Sequence, residues 1–212
     1  MRAVVIANGE VRDYRLLKTN IKADDFIICA DGAIIHCIKM DIVPHLWIGD
    51  FDSCDFNSYI NKYPFLRDVR LVRLNPEKDV TDTHAACDIA IDSGYDEILI
   101  LAGIGTRFDH SLSNVHLLEY LLDSGISASV SNENNTIRLF RNTITINSDK
   151  KYLSLIPLDA NVKVLKTSGL KYPMQNLNFK RCISLGVSNE IVNDKATIEI
   201  EGGLVLSVES DD

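Results

Sequence analysis

The feature that most constrains how this chain folds is a change of rhythm near residue 131. Before it, short and nearly uninterrupted apolar runs occupy residues 3–7, 26–30, 46–48 and 98–101, each followed by a polar or glycine break: Asn8-Gly9, Asp31-Gly32, Gly49-Asp50, and Gly103 with Gly105. Runs of this length and bounding read as buried strands. Residues 69–74 alternate apolar positions with Arg70 and Arg73, the pattern of a strand nearer an edge. Helical spacing falls between these runs, around Leu16-Leu17, over residues 33–38, over 85–91 up to Gly94, and over 112–122 up to Ser124-Gly125. Strands separated by helices of this length indicate a parallel sheet covered on both faces.

Beyond the turn-rich stretch Asn132-Glu133-Asn134-Asn135 the pattern becomes one of short β-type runs, at 136–140, 143–146, 152–156, 162–165, 196–200 and 204–208. No segment there carries helical periodicity. The expected fold class is therefore α/β: a Rossmann-like three-layer N-terminal domain with a parallel sheet over residues 1–131, and a C-terminal all-β sandwich or barrel domain over residues 136–212.

Composition narrows the function. A net charge of −8 and a pI near 5.1 argue against a nucleic-acid partner, which calls for a basic face. They leave room for a nucleotide held through a metal, because the ion supplies positive charge locally. The five cysteines form no C-x-x-C pair, as expected of reduced thiols in a cytoplasmic protein. The opening apolar run is too short for the core of a signal peptide, and no stretch approaches the roughly 18 uninterrupted apolar residues of a membrane span.

Acidic residues recur where expected strands end or the next helix begins: Asp31 after the second, Asp50 and Asp52 after the third, Asp79 and Asp82 after the fourth, Asp109 after the fifth. In an open α/β sheet these ends converge on the ligand edge. Two carboxylates projected together, as in Gly49-Asp50-Phe51-Asp52-Ser53, repel unless a cation neutralises them, and Mg²⁺ suits hard oxygen ligands shared with substrate phosphates. Each acid also has a plainer reading. Asp31, Asp82, Asp109 and Thr81 each precede a helical run and could act as N-caps, whereas Asp50 and Asp79 are not placed to cap anything.

Two cations sit among the acids. Lys78 precedes Asp79, and Arg107 precedes Asp109 in the glycine-rich turn. A planar guanidinium and a mobile ammonium could together hold a polyphosphate, or could simply pair with neighbouring carboxylates. His110 alone among the five histidines neighbours this group, as a hydrogen-bonding or a proton-transfer residue. The chain lacks G-x-G-x-x-G, a P-loop and a nucleophile elbow.

These motifs, in this order, resemble the thiamine pyrophosphokinase family. The resemblance rests on Ala30-Asp31-Gly32, Gly49-Asp50-Phe51-Asp52-Ser53, Lys78-Asp79-Val80-Thr81-Asp82, Gly105-Thr106-Arg107-Phe108-Asp109-His110 with Leu112 and Asn114, and the late Gly169-Leu170-Lys171-Tyr172-Pro173 and Ser188-Asn189-Glu190. It implies Mg²⁺-dependent transfer of the terminal diphosphate of ATP to the hydroxyl of thiamine, giving thiamine diphosphate and AMP. It also implies a homodimer with active sites in clefts between the α/β domain of one subunit and the β domain of the other. By motif match Asp50, Asp52, Asp79 and Asp82 form the catalytic group, with Asp50, Asp52 and Asp79 as metal ligands. Asp31, Lys78, Thr81, Arg107, Asp109 and His110 face the nucleotide, and Ser188, Asn189 and Tyr172 face thiamine. Asp79 or Asp82 would accept the hydroxyl proton.

Two positions depart from the family pattern. Ala33 stands where a second glycine is common, and the only tryptophan, Trp47, falls in a buried run, so a ring stacking on thiamine must be Tyr172 or another aromatic. Two rival readings are a metal-dependent nucleotide hydrolase or transferase using the same acids, and a non-catalytic thiamine- or nucleotide-binding regulator.

Overall fold

In the computed structural model, residues 1–51 and 56–211 are described, and they divide into two compact units, Met1–Glu133 and Asn134–Asp212. The first unit is built on strands β1 (Arg2–Ile6), β2 (Phe26–Ala30), β3 (Leu46–Gly49), β4 (Arg70–Arg73), β5 (Glu97–Leu101) and β6 (Ser127–Ser131). They pair in the order β4-β3-β2-β1-β5-β6, every pair parallel. β4 sits at an edge, as its alternating arginines predict.

The helices are α1 (Tyr14–Lys18), α2 (Ile34–Lys39), α3 (Phe56–Lys62), α4 (Asp82–Asp92) and α5 (Phe108–Asp123). Strand residues alternate between faces, and both faces of this sheet are apolar, which is why the runs are uninterrupted. One face packs Val4, Ile6, Cys29, Trp47 and Leu101 against Leu17 of α1 and Ile34 and Cys37 of α2. α4 lies against β1, β2, β3 and β5, and α5 against β6. The layers are thus helix, sheet, helix. Trp47 is wholly buried, and removing such a side chain from water contributes about 1.5–3 kcal/mol.

The second unit holds two antiparallel arrangements. Strands β7 (Asn135–Phe140), β9 (Tyr152–Pro157) and β13 (Val205–Ser210) pair in the order β7-β13-β9, and β8 (Thr143–Ile146), β10 (Asn161–Ser168), β11 (Gln175–Lys180) and β12 (Ala196–Glu201) in the order β11-β10-β12-β8. Phe140, Leu153, Leu155 and Val205 of the first meet Val162, Val164, Phe179 and Ile198 of the second in one core. That is a sandwich, with β10 and β12 alternating inward and outward residues. No helix among the described residues is long and apolar enough to cross a membrane.

Candidate active site

β1 lies between β2 and β5, so the chain leaves it towards one side of the sheet and later continues on the other. A crevice forms at such a switch point, beyond the strands' carboxyl ends. The turns after β1 and β5 fill its floor and touch: the Gly9 amide donates to the Ala102 carbonyl at 2.9 Å. A Cβ on Gly9 would collide with the carbonyl oxygens of Ala102 and Ile104, so the Asn8-Gly9 break is needed for close approach. α5 pins the second turn. Asn114 Nδ2 donates to the Gly103 carbonyl at 2.8 Å, Ser111 Oγ accepts from the Gly105 amide at 2.9 Å, and the same hydroxyl stands 3.0 Å from the Arg107 carbonyl.

Three carboxylates gather beside these turns, two from neighbouring strand ends and one from a helix start. Asp31 follows β2 in a single 3-10 turn with φ of 43°, a left-handed backbone that a non-glycine residue holds at a cost of about 1–2 kcal/mol. Trp47 secures it from below, its Nε1 donating to the Asp31 carbonyl at 2.8 Å. Gly49 secures it from beside: a Cβ there would lie 2.9 Å from Asp31 Cβ, so any larger residue would push the carboxylate away. Asp50 directly follows β3, and Phe51 after it turns back with φ of 63° to pack its ring edge-on to Trp47. Asp82 is the first residue of α4, whose N-cap Thr81 accepts from the His84 amide through Oγ1 at 3.2 Å.

One ligand oxygen from each of Asp31, Asp50 and Asp82 lies within 4.8 Å of the others. Lys78 bridges two of them, its ammonium 2.7 Å from Asp50 Oδ2 and 3.1 Å from Asp82 Oδ1. Burial pulls the Lys78 pKa down, but hydrogen bonds and charge from Asp50 and Asp82 outweigh it, so the amine holds its proton more tightly than an ordinary lysine. Asp82 is pushed above the ordinary carboxylate value, first by burial and then by the charges of Asp50 and Asp31, against the pull of Lys78. Three clustered hard oxygen donors fit Mg²⁺ by ligand chemistry.

The cluster forms one wall of a cavity of about 730 Å³. Asn8 and Gly9 line another part, and Gly105, Arg107, His110 and Asn114 a third. Arg107 pairs with Asp109 at 2.6 Å, on the exposed surface. That pairing and the His110 amide hold the Asp109 carboxyl at about 2.

The residues singled out in the sequence divide by position. Asp31, Asp50, Thr81, Asp82, Arg107 and His110 line the cavity. Lys78 touches the cluster without lining the cavity. Asp79 is exposed and stands outside the carboxylate group among the described residues, while Asp109 pairs with the cavity-lining Arg107 without lining the cavity itself. Asp52 and Ser53 fall outside the described residues. In the second unit, Asn189 is 4 % exposed and spends its amide on the backbone of Tyr172, accepting from its N–H at 3.0 Å and donating to its carbonyl at 2.8 Å. Tyr172 is exposed, and Ser188 is held at φ of 58° with its amide donating to Ser154 Oγ at 3.0 Å. Asn189 and Tyr172 are thus one device, a buried amide presenting an exposed ring.

Sequence reasoning passed over three supporting residues: Trp47 as the anchor of Asp31, Gly49 as its seat, and Ser111 as a clamp on the glycine turn. The one available signal was a tryptophan and a glycine directly before the acidic loop.

Fold and site define a two-part class, a parallel α/β unit with a carboxylate-walled cleft at its switch point followed by a β sandwich. Comparison with known proteins gives the family. Residues 17–130 match the family model described as thiamin pyrophosphokinase, catalytic domain, and residues 141–205 the model described as thiamin pyrophosphokinase, vitamin B1 binding domain. The chain belongs to the thiamin pyrophosphokinase family and is an enzyme, a thiamine diphosphokinase. It is 28% identical to the thiamine pyrophosphokinase of Bacillus subtilis over 188 residues, 87% of each chain. It is 25% identical to thiamin pyrophosphokinase 1 of Caenorhabditis elegans over 196 residues, 86% of this chain and 78% of that one. The crystal structure of the Bacillus subtilis thiamine pyrophosphokinase superposes with a TM-score of 0.90, at 25% identity and full coverage of both chains. Yeast thiamin pyrophosphokinase shares the fold at a TM-score of 0.79 and 20% identity, covering 99% of this chain and 86% of that one.

Proposed function

We propose that the enzyme transfers the terminal diphosphate of ATP to the hydroxyl of thiamine, releasing AMP and thiamine diphosphate, with Mg²⁺ required. The observation that carries this reading is the Asp31, Asp50 and Asp82 cluster on the wall of a cavity that also presents Arg107 and the Asn8-Gly9 backbone. Asp31, Asp50 and Asp82 would hold the metal, and by the motif match Asp52 and Asp79 would supply further carboxylates. When bound, the ion supplies Lewis-acid neutralisation of polyphosphate charge.

The protein's own task is positioning and charge neutralisation, which dominate transfer chemistry of this kind. Arg107 offers a planar fork to a phosphate, and the backbone of Asn8-Gly9 approaches the nucleotide without a side chain in the way. The bond between the β-phosphorus and the oxygen bridging it to the α-phosphate breaks, and AMP leaves with that oxygen. The thiamine hydroxyl oxygen forms the new bond to the β-phosphorus. Its proton passes to a carboxylate, Asp79 or Asp82.

Thiamine is received by Tyr172, Asn189 and Ser188 of the β unit of a second copy, so the working form is a homodimer, in the cytoplasm. The apolar side chains of Tyr172, Ile183, Leu185, Val187 and Val192, all exposed in the single chain, support an interface there. The test is a coupled assay with ATP, Mg²⁺ and thiamine, beside Asp50→Asn and a control lacking thiamine. Equal amounts of AMP and thiamine diphosphate, falling by about 10²-fold or more in Asp50→Asn, bear the reading out. ATP breakdown regardless of thiamine replaces it with a hydrolase.

A further inference from the structure

A lysine beside a polyphosphate site is ordinarily read as a phosphate ligand. The geometry of Lys78 points elsewhere. Its ammonium is directed at Asp50 Oδ2 and Asp82 Oδ1, with 16% of its side chain exposed, and the residue does not line the cavity although both acids do. Asp82 Oδ1 is itself buried from solvent, with the ammonium 3.1 Å away. The group therefore works on the carboxylates and not on whatever enters the cleft.

From this position we infer that Lys78 is a resident counter-cation of the carboxylate cluster, a positioning residue that keeps Asp50 and Asp82 together and competes electrostatically with a divalent ion. The inference rests on the metal reading of the cluster given above. Three carboxylates this close repel, and one ammonium relieves part of that repulsion at all times. The same positive charge lowers the cluster's attraction for a bare divalent ion. A metal arriving with a polyphosphate meets less opposition, because the phosphate brings compensating negative charge. Lys78 thereby biases the site towards the metal–nucleotide complex over the metal alone.

An ammonium is suited to this task, being a compact point charge with three donors that can serve two acceptors at once.

The decisive comparison is Lys78→Met, which keeps the aliphatic stem and removes the charge, studied in the full-length protein with Mn²⁺ as the probe. Calorimetry without nucleotide should show Mn²⁺ binding about tenfold tighter in Lys78→Met than in the parent. The melting temperature of the chelator-treated variant should fall, and saturating Mn²⁺ should raise it by more than it raises the parent's. Metal-free ATP, titrated in the presence of chelator, should bind both proteins within about twofold. An unchanged or weaker Mn²⁺ affinity overturns the proposal. So does a large loss of metal-free ATP affinity, which would make Lys78 a phosphate ligand. If neither protein binds Mn²⁺ with or without ATP, the metal reading of the cluster falls as well, and turnover with chelator present identifies that failure separately.

Discussion

At the scale of single residues, Asp82 is held where its charge is disfavoured. Its folded pKa lies above the ordinary carboxylate value of 3.8, so folding takes up a proton there. The stability this group contributes is full below 3.8 and is lost as the pH rises through its raised value. At neutral pH the ionised carboxylate is therefore a burden on the fold. Asp82→Asn is expected to melt at the same or a higher temperature at pH 7, with the advantage disappearing near pH 3, while turnover falls by about 10²-fold or more. Scanning calorimetry at the two pH values beside a product assay checks both halves. A lower melting temperature at pH 7 would mean that the ion pair with Lys78 matters more than the desolvation. Asp31 and Asp50 were legible in the sequence because Asp31 stands directly after an apolar run and Asp50 one glycine beyond another. The three-carboxylate grouping was not, since it depends on α4 delivering Asp82 rather than Asp79 to the cleft, a difference of one helical start. Nor could the sequence show that Asn189 is committed to the Tyr172 backbone, because such a bond depends on how two loops meet.

Among the elements, α4 carries the largest share of this delivery. Thr81 fixes where the helix begins, and Asp82 at its first position also meets the favourable end of the helix dipole. Thr81→Ala should cost about 1 kcal/mol in urea unfolding and should lower Mn²⁺ affinity, because fraying of the first turn releases Asp82. A stability loss with unchanged metal affinity would show that the carboxylate is held by Lys78 alone. The apolar runs foretold β1, β2, β3 and β5 well because strands buried on both faces must be apolar throughout. β6 escaped notice: its sequence Ser-Ala-Ser-Val-Ser is too small and polar to read as buried, although Val130 and Ser131 are. β11 escaped too, since Gln-Asn-Leu-Asn-Phe-Lys offers only Phe179 fully to the sandwich core, with Leu177 half-buried. In both cases pairing with an established neighbour, β5 or β10, supplies what propensity does not.

For the molecule as a whole, the net charge of −8 sets a background in which each buried acid must find its own relief. Asp25 does so through Arg2, whose Nε donates at 2.8 Å and Nη2 at 2.6 Å to its two oxygens, tying β1 to the turn before β2. Burial alone would raise the Asp25 pKa, but the Arg2 hydrogen bonds and the Lys22 amide bring it below the ordinary value. Its contribution is accordingly present above 3.8 and lost as the pH falls through its lowered value. Arg2→Met should cost about 3 kcal/mol at pH 7, and the deficit should shrink as acid protonates the stranded carboxylate. Denaturant titrations from pH 7 to 3 check this, and a deficit independent of pH would assign the effect to packing. The same economy of parts gives the molecule an optical property. With one tryptophan in the chain, and that one bonded to the carbonyl of Asp31, the entire indole emission of the protein originates one peptide away from the carboxylate cluster. Events at the cleft are written into its intrinsic fluorescence, so the enzyme carries its own dye.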